Sequence, residues 1–244
     1  FSVSCSSADP TSQPDESTTG VPTVVVQERY ELQQQLEFTI NLTTTSITGS
    51  FGRLHKRHTC EQGDTSPHLS WEGVPSEAKS LALIMEDPIS DVYGFFQDVL
   101  WTHWVVYSIP PDVNQLEPAQ VSGDLLANGS KQGLNDNKQV QYNGPCPIPM
   151  LTFPPVQYKT DAEATKPTVH FKAEERPYYF RVYALDVALD LPSGTDRDTL
   201  MQAIDGHILA AGELAVPYKS TKKIPCKTQN QQACLDKARL VRIS

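Results

Sequence analysis

Residues 79–88 read Lys-Ser-Leu-Ala-Leu-Ile-Met-Glu-Asp-Pro and place an acidic residue and a proline directly after the longest apolar run of the chain. The run itself, Leu81–Met85, has the length of a buried β-strand and is far shorter than the roughly 20 apolar residues that cross a bilayer. We therefore predict a central strand over Ser80–Met85 that ends close to Asp87, and no transmembrane segment.

Three further segments are rich in the aromatic, Val, Ile and Leu residues that favour strands: His103–Ile109, Tyr178–Leu185 and His207–Val216. One helix is predicted to begin at Thr195, because Thr195-Asp196-Arg197-Asp198 matches a capping box, and Gly206 is suited to end it. The pattern predicts a mainly β fold with little helix.

Composition divides the 244 residues into three parts. Residues 1–24 are rich in Ser, Thr, Asp and Pro without an apolar period, which predicts a flexible N-terminal segment. Residues 25–218 are predicted to form a single domain with a Pro-rich insertion at about 148–175, followed by a C-terminal extension over 219–244. The formal net charge of -9 disfavours a nucleic-acid partner.

Several features favour an oxidising, extracellular location. The chain begins at Phe1 without a methionine, as expected after removal of a leader. Two sequons, at Asn41 and Asn128, are candidate sites of N-glycosylation, and five cysteines accompany them. A cytosolic protein with free thiols is the alternative.

Motifs in a fixed order along the chain carry a resemblance to one protein family. They are Ser66–Pro75, Lys79–Pro88, Trp101–Tyr107, Gly133–Asp136, Tyr142–Pro147, Tyr183–Asp186 and Gly206–Ala210. Together, over about residues 25–218, they resemble the phosphatidylethanolamine-binding proteins, which include the Raf kinase inhibitor proteins, and most of all the bacterial-type members.

This resemblance implies both a fold and a site. The implied fold is a single domain with a large antiparallel sheet, a smaller sheet and a few peripheral helices. The implied site is a small pocket for a phosphate, phospholipid headgroup or carboxylate, with no cofactor and no catalytic residue. The ligand-binding residues that it implies are Asp87, Pro88, Trp101, His103, Gly144, Pro145, Pro147, Arg176 and Tyr178.

The chemistry of these residue types suits an anion site. A carboxylate at Asp87 would fix the tautomer of His103, which we expect to donate to the ligand together with Tyr178. Arg176-Pro177 replaces the family's His-Arg pair. Arg176 therefore either adds a fixed positive charge or points away because Pro177 alters the entry to the strand.

Two disulfides are expected. A Cys226–Cys234 bond would close a small loop in the C-terminal extension. A Cys60–Cys146 bond would tie the segment before Ser66–Pro75 to the Gly144-Pro145 loop. Cys5 would then have no partner in the expected set. Other pairings remain open.

The function that we predict is a secreted, non-enzymatic binding protein that takes a small anion and acts on a protein partner. The alternative is an assembly glycoprotein that uses the fold as a scaffold and has a vestigial pocket. A hydrolase is third, because no Gly-x-Ser-x-Gly elbow is present. The cluster of His55, His58 and Cys60 is only weak evidence for zinc, so no metal site is predicted.

Overall fold

A five-stranded antiparallel sheet contains the longest strands of the protein. The structure is a computed structural model that describes residues 37–50, 52–89, 99–147, 150–152, 170–172 and 175–221. Its elements are β1 (Asn41–Thr43), β2 (Ile47–Thr48), β3 (Arg53–Leu54), a 3-10 helix (Lys56–His58), β4 (Leu69–Glu72), β5 (Ser80–Ile89), β6 (Val99–Ile109), β7 (Gln115–Leu116), β8 (Lys131–Gln132), β9 (Met150–Thr152), β10 (His170–Lys172), β11 (Glu175–Leu185), α1 (Arg197–Ile204) and β12 (Ile208–Lys219).

The strand order of the large sheet is β12-β11-β5-β6-β8, so the apolar strand β5 lies at its centre. A smaller sheet has the order β1-β4-β7, and two further pairs join β9 to β10 and β2 to β3. The predicted mainly β fold, with a large antiparallel sheet and a smaller second sheet, is therefore confirmed. In the described part of the chain the helices are limited to α1 and the 3-10 helix.

Both faces of the large sheet are covered, which explains why β5 is apolar without alternation. Alternate residues of β5 belong to two separate clusters of buried side chains. One cluster packs Leu81, Leu83 and Met85 against the smaller sheet, and the other packs Ala82 and Ile84 against α1. A strand buried on both faces needs an apolar residue at nearly every position.

Helix α1 begins two residues later than predicted. Asp196 is its N-cap and accepts a hydrogen bond from the Thr199 amide, so the expectation that Thr195 caps the helix is wrong. The Thr195 hydroxyl instead donates to the Pro192 carbonyl at 2.7 Å. Gly206 follows the helix with a φ of 74°, the left-handed conformation that a glycine adopts without strain.

The stretch predicted as an insertion, residues 148–175, includes regular structure at both ends. Strands β9 and β10 pair antiparallel, with Met150 opposite Lys172 and Thr152 opposite His170. The first residue of β11, Glu175, also falls within it. Three predictions lie outside the described residues: the flexible segment 1–24, the C-terminal extension beyond residue 221 and the disulfide expected between Cys226 and Cys234.

Candidate functional site

A β-bulge in β6 orients the histidine of the site. Met85 pairs with Trp104 and Glu86 with Thr102, so that His103 is an extra residue without a partner on β5. A bulge of this kind redirects the side chains around it. Past the bulge, Asp87 lies opposite Trp101, and this register places His103 beside Asp87 on one face of the sheet.

The side chains of Asp87 and His103 form a buried pair. The His103 Nε2 atom lies 3.0 Å from Asp87 Oδ1, and the two residues are only 5% and 4% exposed. The other ring nitrogen, Nδ1, lies 2.7 Å from the Asn143 carbonyl oxygen, which can only accept. Both nitrogens of His103 thus face acceptors within the protein.

Tyr178 packs edge-on against the imidazole, with the two ring centroids 5.4 Å apart. Burial raises the pKa of Tyr178 well above its ordinary value, and the Asp87 carboxylate raises it further, while Arg176 opposes the shift. Its hydroxyl is therefore a neutral donor at physiological pH. No hydrogen bond occupies that hydroxyl within the described part of the chain.

Arg176 lies on the same face of β11 as Tyr178, two positions earlier and opposite Tyr218 of β12. Strand β11 runs through Pro177, which pairs with Pro217, so the proline does not divert the entry to the strand. Arg176 is half-buried and makes no ion pair with the residues that the structure describes. Its guanidinium is the fixed positive charge beside Tyr178.

The loop at Gly144 closes against the 3-10 helix. A side chain at Gly144 would place its Cβ 2.1 Å from the His58 carbonyl oxygen, so only glycine fits. The Asn143 amide donates to the His103 carbonyl at 3.1 Å, and the Tyr142 hydroxyl donates to the His58 carbonyl at 2.6 Å. The loop and the histidine are therefore fixed by the same set of hydrogen bonds.

A disulfide joins this loop to the segment after the 3-10 helix. Cys60 and Cys146 are bonded, and the Cys60 amide also donates to the Pro145 carbonyl at 3.3 Å. This is the pairing expected from the sequence. Among the other expected ligand residues, Pro145 is buried, whereas Pro88, Trp101 and Pro147 are half-buried.

The sequence profile described as phosphatidylethanolamine-binding protein matches residues 44–152 and 163–219. The chain belongs to the phosphatidylethanolamine-binding protein family. Because the profile covers residues 148–152 and resumes at 163, most of the stretch predicted as an insertion belongs to the family domain.

Two relatives in this family show how far the similarity extends. The UPF0098 protein of Methanothermobacter thermautotrophicus is 39% identical over 180 residues, which is 74% of this chain and 99% of that protein. The UPF0098 protein of Chlamydia trachomatis is 38% identical over 178 residues, which is 72% of this chain and 97% of the relative.

Solved structures of the family have the same fold. A Chlamydia trachomatis structure titled as a phosphatidylethanolamine-binding protein homologue superposes with a TM-score of 0.56 and 34% identity, covering 75% of this chain and 99% of that one. YbcL of E. coli, titled as a member of the mammalian family, gives a TM-score of 0.54 and 25% identity with the same coverage.

On the opposite face of the sheet, this family member has a buried ion network that the sequence analysis missed. Glu86 accepts from Arg181 Nη1 at 3.0 Å and from Arg197 Nε at 2.7 Å, and Arg181 also binds Glu213 at 2.8 Å. The signal was present in the sequence, because a charged residue at the end of a strand buried on both faces requires a partner.

The residues of the weak zinc motif have other partners. Cys60 is engaged in its disulfide and His58 Nδ1 lies 2.7 Å from the Thr65 carbonyl. Burial lowers the pKa of His58, which keeps it neutral. Within the described ranges, no three His, Cys, Asp or Glu side chains are grouped to hold a metal ion, and no helix is long and apolar enough to cross a membrane.

Of the two sequons, Asn41 is exposed and is the first residue of β1. Asn128 is half-buried, and its side-chain oxygen accepts from the Ser130 amide at 3.0 Å.

Proposed function

We propose that this protein is a secreted, non-enzymatic binding protein whose site takes a small anion: a phosphate, a phospholipid headgroup or a carboxylate. The observation that carries the proposal is that Arg176 and Tyr178 lie next to each other on one face of β11. The buried Asp87–His103 pair lies beside Tyr178. Binding a ligand there would also allow the protein to modulate a protein partner.

Two side chains in this arrangement have the chemistry of anion donors. Arg176 offers the N–H groups of a guanidinium, which match the oxygens of phosphate and carboxylate, and Tyr178 offers a neutral hydroxyl. The His103–Asp87 pair is held by its own hydrogen bonds and supports the ring of Tyr178 from the side. In this role His103 positions the site without contacting the ligand through nitrogen.

Titration calorimetry with inorganic phosphate tests the proposal, with phosphoethanolamine and acetate as separate arms for a lipid headgroup and a carboxylate. We expect saturable binding in the millimolar range or tighter for at least one of the three anions. The absence of heat for all three at millimolar concentration would overturn the anion-binding function.

The non-enzymatic part of the proposal has support from the histidine. A general base needs a ring nitrogen that can accept a proton from a nucleophile, and both nitrogens of His103 already face acceptors. Labelling of the native protein by a reactive-serine or reactive-cysteine probe would contradict this part.

Secretion has support from the Cys60–Cys146 disulfide, since such bonds persist in oxidising compartments. Peptide mapping of native extracellular material tests the location through glycans at Asn41 and Asn128 and through the expected Cys226–Cys234 bond. Recovery of the protein only from the cytosol, with unmodified sequons, would contradict it.

A second candidate is an assembly glycoprotein whose pocket is vestigial. It is favoured by the same His103 geometry, because that residue is satisfied without any ligand. A stable complex in native extracts, together with no anion binding, would support the scaffold over the binding protein.

A further inference from the structure

The hydrogen bonds of the Gly144 loop divide it into two halves. Tyr142, Asn143 and Gly144 form the first half, and each makes a hydrogen bond of 2.6 to 3.1 Å to the neighbouring structure. The bond from Gly144 goes to the Asp64 carboxylate. This half is held without any covalent link.

Within the part of the chain that the structure describes, the second half of the loop, residues 145–147, has little of this support. Pro145 and Pro147 have no N–H group and cannot donate through their backbone. The Pro145 carbonyl accepts one bond, of 3.3 Å, from the Cys60 amide, and Cys146 is bonded to Cys60 through sulfur. A single residue of the neighbouring segment, Cys60, therefore provides both of these attachments.

The two residues of this connection are partly exposed. Cys60 and Cys146 are both half-buried, in contrast to His103 and Tyr178 deeper in the site. In the reaction that we consider, a small dithiol attacks one sulfur, forms a mixed disulfide and then closes on itself. The reaction transfers two electrons and two protons, giving two protein thiols and one cyclic disulfide of the reductant.

We propose that the Cys60–Cys146 disulfide is a redox control of the anion site: the oxidised protein binds the anion, and reduction by a dithiol weakens binding by releasing residues 145–147. This inference depends on the anion-binding function proposed above. If the reduced loop adopts the binding arrangement about one tenth of the time, affinity falls about tenfold.

The test measures phosphate affinity of the full chain with Cys5, Cys226 and Cys234 replaced by Ser, so that only one cysteine pair can respond. Affinity is measured oxidised, after reduction by dithiothreitol, and after reoxidation. The Cys60→Ser/Cys146→Ser variant is the permanent reduced mimic, and circular dichroism of each sample verifies that it is folded. If the variant does not fold, the reduced protein, kept at a temperature where its circular dichroism is native, is used alone.

We expect about tenfold weaker binding on reduction, the same weakening in the double variant, and recovery on reoxidation. Equal affinity in the oxidised and folded reduced forms would overturn the redox control and leave the anion-binding function intact. If the oxidised protein binds none of phosphate, phosphoethanolamine and acetate, both the redox control and the anion-binding function are overturned.

Discussion

Glu86 and Asp87 are consecutive residues of β5, yet their carboxylates serve opposite faces of the large sheet. Glu86 is bound by Arg181 and Arg197 on the face covered by α1, whereas Asp87 is bound by His103 on the face of the candidate site. Because successive side chains of a strand alternate, one short segment fixes an internal ion network and the site together. The end of β5 is thus held from both sides.

Replacing Glu86 by Gln should destabilise the protein by about 3 to 5 kcal/mol, because it leaves two buried guanidinium groups without their shared carboxylate. The matched control is Glu213→Gln, since among the described residues Glu213 binds only Arg181, and its side chain is 26% exposed against 1% for Glu86. The control should cost about 0 to 1 kcal/mol. Urea unfolding measures both values, and equal losses would show that the network is not organised around Glu86.

The Asp87–His103 pair should behave as a unit. Either Asp87→Ala or His103→Ala removes one partner and leaves the other buried without its hydrogen bond, at a cost of about 3 kcal/mol or more. In the double variant neither partner is left unpaired, so that penalty is absent and the double loss should be smaller than the sum of the single losses by at least about 1 kcal/mol. A double-mutant cycle from urea unfolding tests this, and simple additivity would contradict the pairing.

Acid should weaken the attachment of the end of β12. Burial raises the pKa of Glu61, but hydrogen bonds from Ser220, Thr221 and Tyr218 outweigh it and lower the pKa from 4.5 to about 2. Since the folded value lies below the unfolded one, this contribution to stability is full above about pH 4.5 and is lost as the pH falls towards 2.

The test compares Glu61→Gln with the wild type at several pH values. We expect a loss of about 1 to 2 kcal/mol at neutral pH that shrinks as the pH approaches 2. Glu72→Gln, at an exposed position of β4, is the control and should change stability little at any pH. A difference between Glu61→Gln and the wild type that does not change with pH would contradict the role of the Glu61 charge.

Much of this fold could be predicted from the sequence because its central strand, β5, is buried on both faces of the sheet. The uninterrupted run Leu81–Met85 leaves few alternatives to a central strand, and the Asp87-Pro88 and His103-Trp104 pairs mark the two strands of the site. Strand composition therefore located β5, β6, β11 and β12 to within a few residues at most ends.

What could not be predicted depends on the backbone. The bulge at His103 shifts register by one residue, which no side-chain pattern reveals, and the Asn143 carbonyl that binds the ring is a group common to every residue. The start of α1 was missed for a different reason. Thr195 and Asp196 are both good N-caps, and the choice between them depends on the tertiary position of the Pro192 carbonyl.

The last prediction concerns which residues give the site its affinity for an anion. If Arg176 and Tyr178 are the donors, Arg176→Gln should weaken phosphate binding about ten- to a hundredfold, since it removes a charge-assisted hydrogen bond worth about 1.5 to 3 kcal/mol. Tyr178→Phe keeps the ring against His103 and removes only a neutral hydroxyl, so it should cost about tenfold at most. Calorimetric titration with phosphate measures both variants. Arg53→Gln is the matched control, because Arg53 is already paired with Glu175 through a 2.6 Å hydrogen bond, and it should bind as the wild type does. An Arg176→Gln variant that retains full affinity would contradict the assignment of the positive charge to Arg176.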